Sequence, residues 1–213
     1  IKKTIFALST ASGKAGLAVI RLSGERSFSI VKKLSGSIPP VRKAVLRNLT
    51  YDNDLIDQAI VICFKAKNSY TGEDMAEFHV HGSNAVLKNL MEVLGSKLLL
   101  TAAGPGEFSR RALENGKMNL LQVEGLSDLI VSETKEQKKQ ALKSLIGKDI
   151  NKTDTWREEI IRALAFTELM IDFSDEDVPN DTFEEIYKIV VRLSEALEAE
   201  LRSYKSSELI RDG

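Results

Sequence analysis

Apolar positions follow two different grammars along this chain. Over residues 1–118 they come in short, often β-branched runs: Thr4–Ser9, Leu17–Leu22, Ala44–Thr50, Ile56–Phe64 and Met75–Val80. Each has the length of a strand, and polar turns such as Asp52-Asn53-Asp54 separate them. Glu25–Leu34 is helical in pattern. Ser83–Leu94 carries an apolar stripe at Val86, Leu87, Leu90, Met91 and Leu94, and Gly95 is placed to end it. From Asn119 onward the period is helical throughout. It runs through Leu126, Leu129 and Ile130, then Leu142, Leu145 and Ile146, then Ile160, Ile161, Leu164, Leu169 and Met170. Asp175-Glu176-Asp177 and Pro179 interrupt it. A last helix, from about Thr182 to Tyr204, shows Ile186, Ile189, Val190, Leu193 and Leu197. The pattern predicts an α+β domain over 1–118 and an all-α helical domain over 119–213, whose long helices must bury their stripes. Leu209-Ile210-Arg211-Asp212-Gly213 has no closing feature and reads as a chain cut before a further segment.

The junction between the two grammars is the most informative stretch. A short helix fits between Pro105-Gly106 and Gly116, a residue suited to the left-handed stop of a helix. Asn119 then suits the cap of the next helix, with Gln122 as the other half of a capping box. Lys117 is thereby expected in a two-residue gap between helices. Local physics alone favours an exposed lysine in a plain helix-loop-helix.

Composition narrows the class. The 213 residues carry 30 Lys and Arg against 31 Asp and Glu, a formal net charge of -1. Such a balance argues against binding dominated by phosphate neutralisation. No apolar run is long enough to span a bilayer, and Ile5-Phe6-Ala7-Leu8 is too short for a signal peptide. The single cysteine, Cys63, sits in Ile60-Val61-Ile62-Cys63-Phe64 and reads as a buried core residue, in keeping with a cytoplasmic protein.

Candidate chemistry is sparse. In Met75–Gly82, strand alternation puts Ala76, Phe78 and Val80 on an apolar face and Glu77, His79 and His81 on the other. No third ligand is marked for the two histidines, so they read as polar strand residues and no metal site is expected. A fixed Glu77 can accept two parallel N–H donors from a flat nitrogen heterocycle such as a guanine or pterin edge. Arg21 interrupts the apolar run Leu17–Leu22 and must find a partner, reach a cleft or carry its head to water. The loop Ser9–Gly16 fails as a phosphate loop, since Leu8 stands where the first Gly is needed and Ala15 follows Lys14. Met118 and Asp149 follow the other two Gly-Lys pairs, so the chain holds no Walker motif and should not hydrolyse a nucleoside triphosphate on its own. Lys135, Lys138, Lys139, Lys143, Lys148 and Lys152 read as a solvated helix face rather than an RNA contact.

Taken together, several of these segments resemble the N-terminal part of the MnmE (TrmE) family of tRNA-modification GTPases. They are Thr4-Ile5, Gly13–Gly24, Ser69-Tyr70-Thr71-Gly72-Glu73-Asp74, His81-Gly82, Pro105–Ser109 through Asn115-Gly116-Lys117, Glu124, Asp128-Leu129-Ile130, Ile171-Asp172-Phe173 and Leu209–Gly213. The resemblance covers essentially the whole chain. Ala11-Ser12, Ala15, Ser83 and Asn119 depart from the family's pattern.

The resemblance implies an N-terminal domain similar to folate-binding aminomethyltransferase folds, which binds 5-formyl-tetrahydrofolate and forms a homodimer. It implies a G domain, with its GTP, Mg and K, and a closing helical segment with a reactive cysteine, both beyond this chain. It implies an FAD-dependent partner protein and tRNA, with an aminomethyl-type group added to C5 of a wobble uridine. The family's folate-contacting positions fall on Arg21, Glu77 and Lys117; no catalytic residue falls within this chain. Two other functions stay open beside it: a stand-alone folate-dependent aminomethyltransferase-like enzyme, and a purely structural dimerisation scaffold.

Overall fold

The computed structural model describes residues 3–146, 150–172 and 181–211, side chains excepted at 150–151, 181 and 203–211. The chain divides into two compact units, Ile1–Asn119 and Leu120–Gly213.

The first unit is built on a six-stranded sheet in the order β3-β4-β5-β2-β1-β6. Its elements run β1 (Ile5–Leu8), β2 (Ala15–Ser23), α1 (Ser27–Ser35), β3 (Val45–Tyr51), β4 (Asp54–Phe64), β5 (Met75–Gly82), α2 (Asn84–Glu92), β6 (Thr101–Ala102) and α3 (Glu107–Glu114). Neighbouring strands are antiparallel except β1 and β6, which are parallel. Ala18, Ile20 and Leu22 from β2, Val61 and Cys63 from β4, and Ala76, Phe78 and Val80 from β5 form one face. They pack against Ile30, Val31 and Leu34 of α1 and Leu90 of α2. Burial of this apolar surface is the main stabilising term. It leaves the alternate residues of β2 and β5, Arg21, Glu77 and His79, on the opposite face.

Two expectations are corrected here, and one strand is added. Gly95 does not end the helix. The backbone continues through a π-helical turn over Val93–Lys97. A Cβ at Gly95 would stand 3.3 Å from the Phe6 ring, so the glycine serves close packing rather than termination. β6 went unread because two residues carry no periodicity and their pairing with Ile5 and Phe6 is long-range. Lys117 lies not in a two-residue gap but in the 115–119 connection, since α3 ends at Glu114. Gly116 does take the left-handed conformation (φ 65°). The amides of Gly116 and Lys117 close on the carbonyls of Leu113 and Ala112 at 3.0 and 2.7 Å.

The second unit comprises α4 (Leu120–Val131), α5 (Lys135–Ile146), α6 (Ile150–Asp172) and α7 (Asp181–Arg211). α4 and α5 cross closely at Gly125, where a Cβ would come within 2.7 Å of the Leu145 amide nitrogen. Gln122 donates from its side-chain amide to the Leu145 carbonyl at 3.2 Å. The stripes of α6 and α7 are only partly covered. Ile189 and Leu193 are buried, whereas Ile160, Ile161, Leu164, Val190 and Leu197 stay exposed. The expectation of buried stripes is therefore met only in part. The interruption at Asp175–Asp177 and Pro179, the residues Lys148 and Phe173, and the end of the chain at 212–213 lie outside the described residues. Among the described residues no helix is long and apolar enough to cross a membrane.

Candidate functional site

The register of β2 against β5 places Arg21 directly opposite Glu77. Their side chains stand on the face of the sheet away from the α1 core and form an ion pair. Arg21 Nε donates to Glu77 Oε1 at 2.9 Å, and Nη2 approaches the same oxygen at 2.9 Å. The other carboxylate oxygen, Oε2, lies 3.1 Å from His79 Nε2. Glu77 is 14% exposed and Arg21 27%, so the pair borders solvent without being dissolved in it.

Two aromatic rings flank the guanidinium. The Arg21 Cζ lies 5.4 Å from the centroid of Tyr70 and 5.8 Å from that of Phe108. Both distances allow cation–π attraction. Tyr70 is itself held by a 2.8 Å hydrogen bond between its hydroxyl and that of Ser109. The 65–74 segment and the start of α3 thus both reach the same guanidinium.

A buried ionic hub locks those segments together. Arg111 is 5% exposed. It donates to Glu73 Oε2 at 2.9 Å, to Glu107 Oε1 at 3.0 Å and to the Lys3 carbonyl at 2.9 Å. Ser23, at the end of β2, donates to the same Glu73 oxygen at 2.7 Å and exchanges a 2.7 Å hydrogen bond with Thr71. Glu107 also accepts from the Gly104 amide at 2.9 Å. That backbone hydrogen bond, followed by Arg111 and Arg110, holds its carboxyl below the usual carboxylate range against the opposing effect of burial.

Lys117 is tied to the same loop, one step away from the pair. Its ammonium donates to the Lys67 carbonyl at 2.7 Å. Asn115 donates to the Thr71 carbonyl at 2.6 Å. Gly72 makes this approach possible, because a Cβ there would lie 3.0 Å from Asn115 Cβ and 3.2 Å from Lys117 Cγ. Arg21 and Glu77 are therefore in direct contact, and Lys117 meets the loop that carries Tyr70. Among the described residues Lys117 makes no ion pair with Glu77. A cavity of about 320 Å³ on this loop is lined by Gly24, Glu25, Ala66, Glu73 and Asp74, and by none of the three.

The two histidines diverge. His79 reaches Glu77, while His81 Nδ1 lies 2.8 Å from Asp57 Oδ1. Among the described residues no group of three or more His, Cys, Asp or Glu side chains could hold a metal ion. Cys63 is buried, and burial, aided by Asp74, pushes its thiol up to about 11. Lys135, Lys138, Lys139 and Lys143 lie exposed along α5, and Lys152 pairs with Glu200 at 2.8 Å. The roles of Tyr70, Phe108, Glu73 and Arg111 had no signal in spacing, apart from the helical i, i+4 relation of Glu107 to Arg111.

The site sits in a chain with clear relatives. Residues 4–117 match the family described as the N-terminus of the GTP-binding protein TrmE, and residues 120–213 match the MnmE helical domain. The tRNA modification GTPase MnmE of Dinoroseobacter shibae is 46% identical over 211 residues, 99% of this chain and 49% of the relative. The proteins of the same name from Phenylobacterium zucineum and Caulobacter vibrioides are 46% and 44% identical, each over 99% of this chain and 47% of the relative. The chain spans about half the length of the curated relatives it matches. With both of its units matched in order, this chain belongs to the MnmE (TrmE) family of tRNA-modification GTPases.

Proposed function

We propose that the first unit is the folate-binding and dimerisation portion of a tRNA-modification GTPase, and that Glu77, Arg21 and Lys117 hold 5-formyl-tetrahydrofolate or a related tetrahydrofolate. The whole protein would act in the cytoplasm with an FAD-dependent partner and add an aminomethyl-type group to C5 of the wobble uridine of certain tRNAs. The observation that carries the reading is the Arg21–Glu77 pair, bordered by Tyr70 and Phe108 on the open side of the β2–β5 ladder.

The donor set fits such a ligand. A carboxylate matches the amide-like N–H edge of a pterin, and a guanidinium and an ammonium match its carbonyl or carboxylate oxygens. Flat aromatic walls match a flat heterocycle. When bound, a reduced folate supplies the one-carbon unit; the protein's own groups bind and orient it. The chain's lack of a P-loop supports placing GTP hydrolysis outside it. The exposed stripe of Ile160, Ile161 and Leu164 suits a further helical segment of the family.

Calorimetric titration with 5-formyl-tetrahydrofolate tests the assignment. Glu77→Ala is expected to weaken binding at least tenfold, as loss of a charged acceptor does. Equal affinity in parent and variant sinks it. If the parent itself binds no tetrahydrofolate yet forms a dimer in sedimentation, the scaffold alternative takes its place.

A further inference from the structure

Within this site one neighbour has no assigned part, and its geometry is specific. Glu77 and His79 are alternate residues of β5 and share its outer face. His79 Nε2 lies 3.1 Å from Glu77 Oε2, the oxygen that Arg21 does not use. A carboxylate only accepts, so Nε2 carries the proton and donates. In register, Val19 of β2 and Ile60 of β4 are the cross-strand neighbours of His79. The imidazole is 22% exposed. His81 is 68% exposed and bound to Asp57, so it serves a different carboxylate.

We propose that His79 is a positioning residue for the folate-binding carboxylate: its Nε2–H fixes Oε2 and so sets the plane in which Glu77 meets the ligand. This rests on the folate reading of Glu77. Arg21 crowds Oε1, with a hydrogen bond from Nε and with Nη2 at 2.9 Å. A ligand edge with two parallel N–H groups needs one position on each oxygen. Arg21 must therefore yield at Oε1 as the ligand docks. During that exchange His79 is the contact that keeps the carboxylate from rotating, while the second acceptor position of Oε2 stays open to the incoming N–H.

The experiment is titration of the protein with 5-formyl-tetrahydrofolate in five variants. His79→Gln keeps a side-chain N–H donor; His79→Val and His79→Leu remove it and suit a strand face beside Val19 and Ile60. His79→Gln is expected to bind within about twofold of the parent, and the two donorless variants about tenfold more weakly. His81→Gln is expected to bind like the parent. If one donorless variant fails to fold, the other carries the comparison. Parent-like affinity in the donorless variants overturns the inference, and so does an equal loss in His79→Gln. Glu77→Gln separates the two levels. Unchanged affinity there overturns the folate reading and the part assigned to His79 together. Lost affinity there, with parent-like binding in every His79 variant, overturns the part of His79 alone.

Discussion

Lys117 Nζ donates to the carbonyl of Lys67, 50 residues earlier in the chain, at 2.7 Å. Lys67 adopts a positive φ of 70° to present that carbonyl. The Lys117 ammonium is thus docked on the loop whose Tyr70 lies beside Arg21. Gly72, on the same loop, is the residue that lets the two segments touch.

Gly72→Ala is therefore expected to act on both. Its φ of 78° disfavours any side chain, and the new methyl would press on Asn115 and Lys117. Stability is expected to fall by about 1–3 kcal/mol in urea denaturation. Tetrahydrofolate affinity is expected to fall with it as Lys117 is displaced. A variant of parental stability and affinity contradicts the close approach.

Arg111 joins Glu73, Glu107 and the Lys3 carbonyl in a buried cluster, so its removal leaves two carboxylates without their cation. Arg111→Met is expected to cost about 3–5 kcal/mol in chemical denaturation. Acid sensitivity follows from Glu107. Its folded-state carboxyl titrates below its ordinary value of 4.5. The stability it contributes is fully present above that value and is lost as pH falls through it toward the lower folded value. Glu107→Gln is expected to flatten this part of the pH–stability curve, read from melting temperatures taken between neutral pH and acid.

The Cys63 thiol is shifted the other way, from 9.0 to about 11. Burial stabilises the protonated thiol, so the contribution is intact below pH 9 and is lost as pH rises toward 11. Since the thiolate is the nucleophile, iodoacetamide at pH 8 is expected to leave the native protein unmodified and to label it once denaturant unfolds it. Rapid native labelling contradicts the buried position. Cys63→Ala is expected to remove the alkaline loss.

The parts of this fold that could be read in the sequence are those set by local alternation. Ala76, Phe78 and Val80 turn inward because a strand alternates, and Gly116 closes α3 in the left-handed conformation that glycine adopts without a Cβ penalty. The π-helical turn over Val93–Lys97 has no local signal, and the Phe6 ring that packs against Gly95 lies almost ninety residues earlier. The same holds at the site. Arg21 stands out as a charge in an apolar run and Glu77 as a carboxylate on the polar face of its strand, yet their mutual pairing depends on the β2–β5 register. Tyr70 and Phe108 join them through chain closure that no spacing records. Lys117 stood out through its junction, while its partner Lys67 did not.

A crystal structure of the protein saturated with 5-formyl-tetrahydrofolate would show where the pterin sits relative to Glu77. The pterin N–H edge is expected within hydrogen-bond distance of both Glu77 oxygens, with Arg21 released from Oε1 and the Lys117 ammonium on a ligand oxygen. Ligand density away from this face, with the Arg21–Glu77 pair undisturbed, would contradict it.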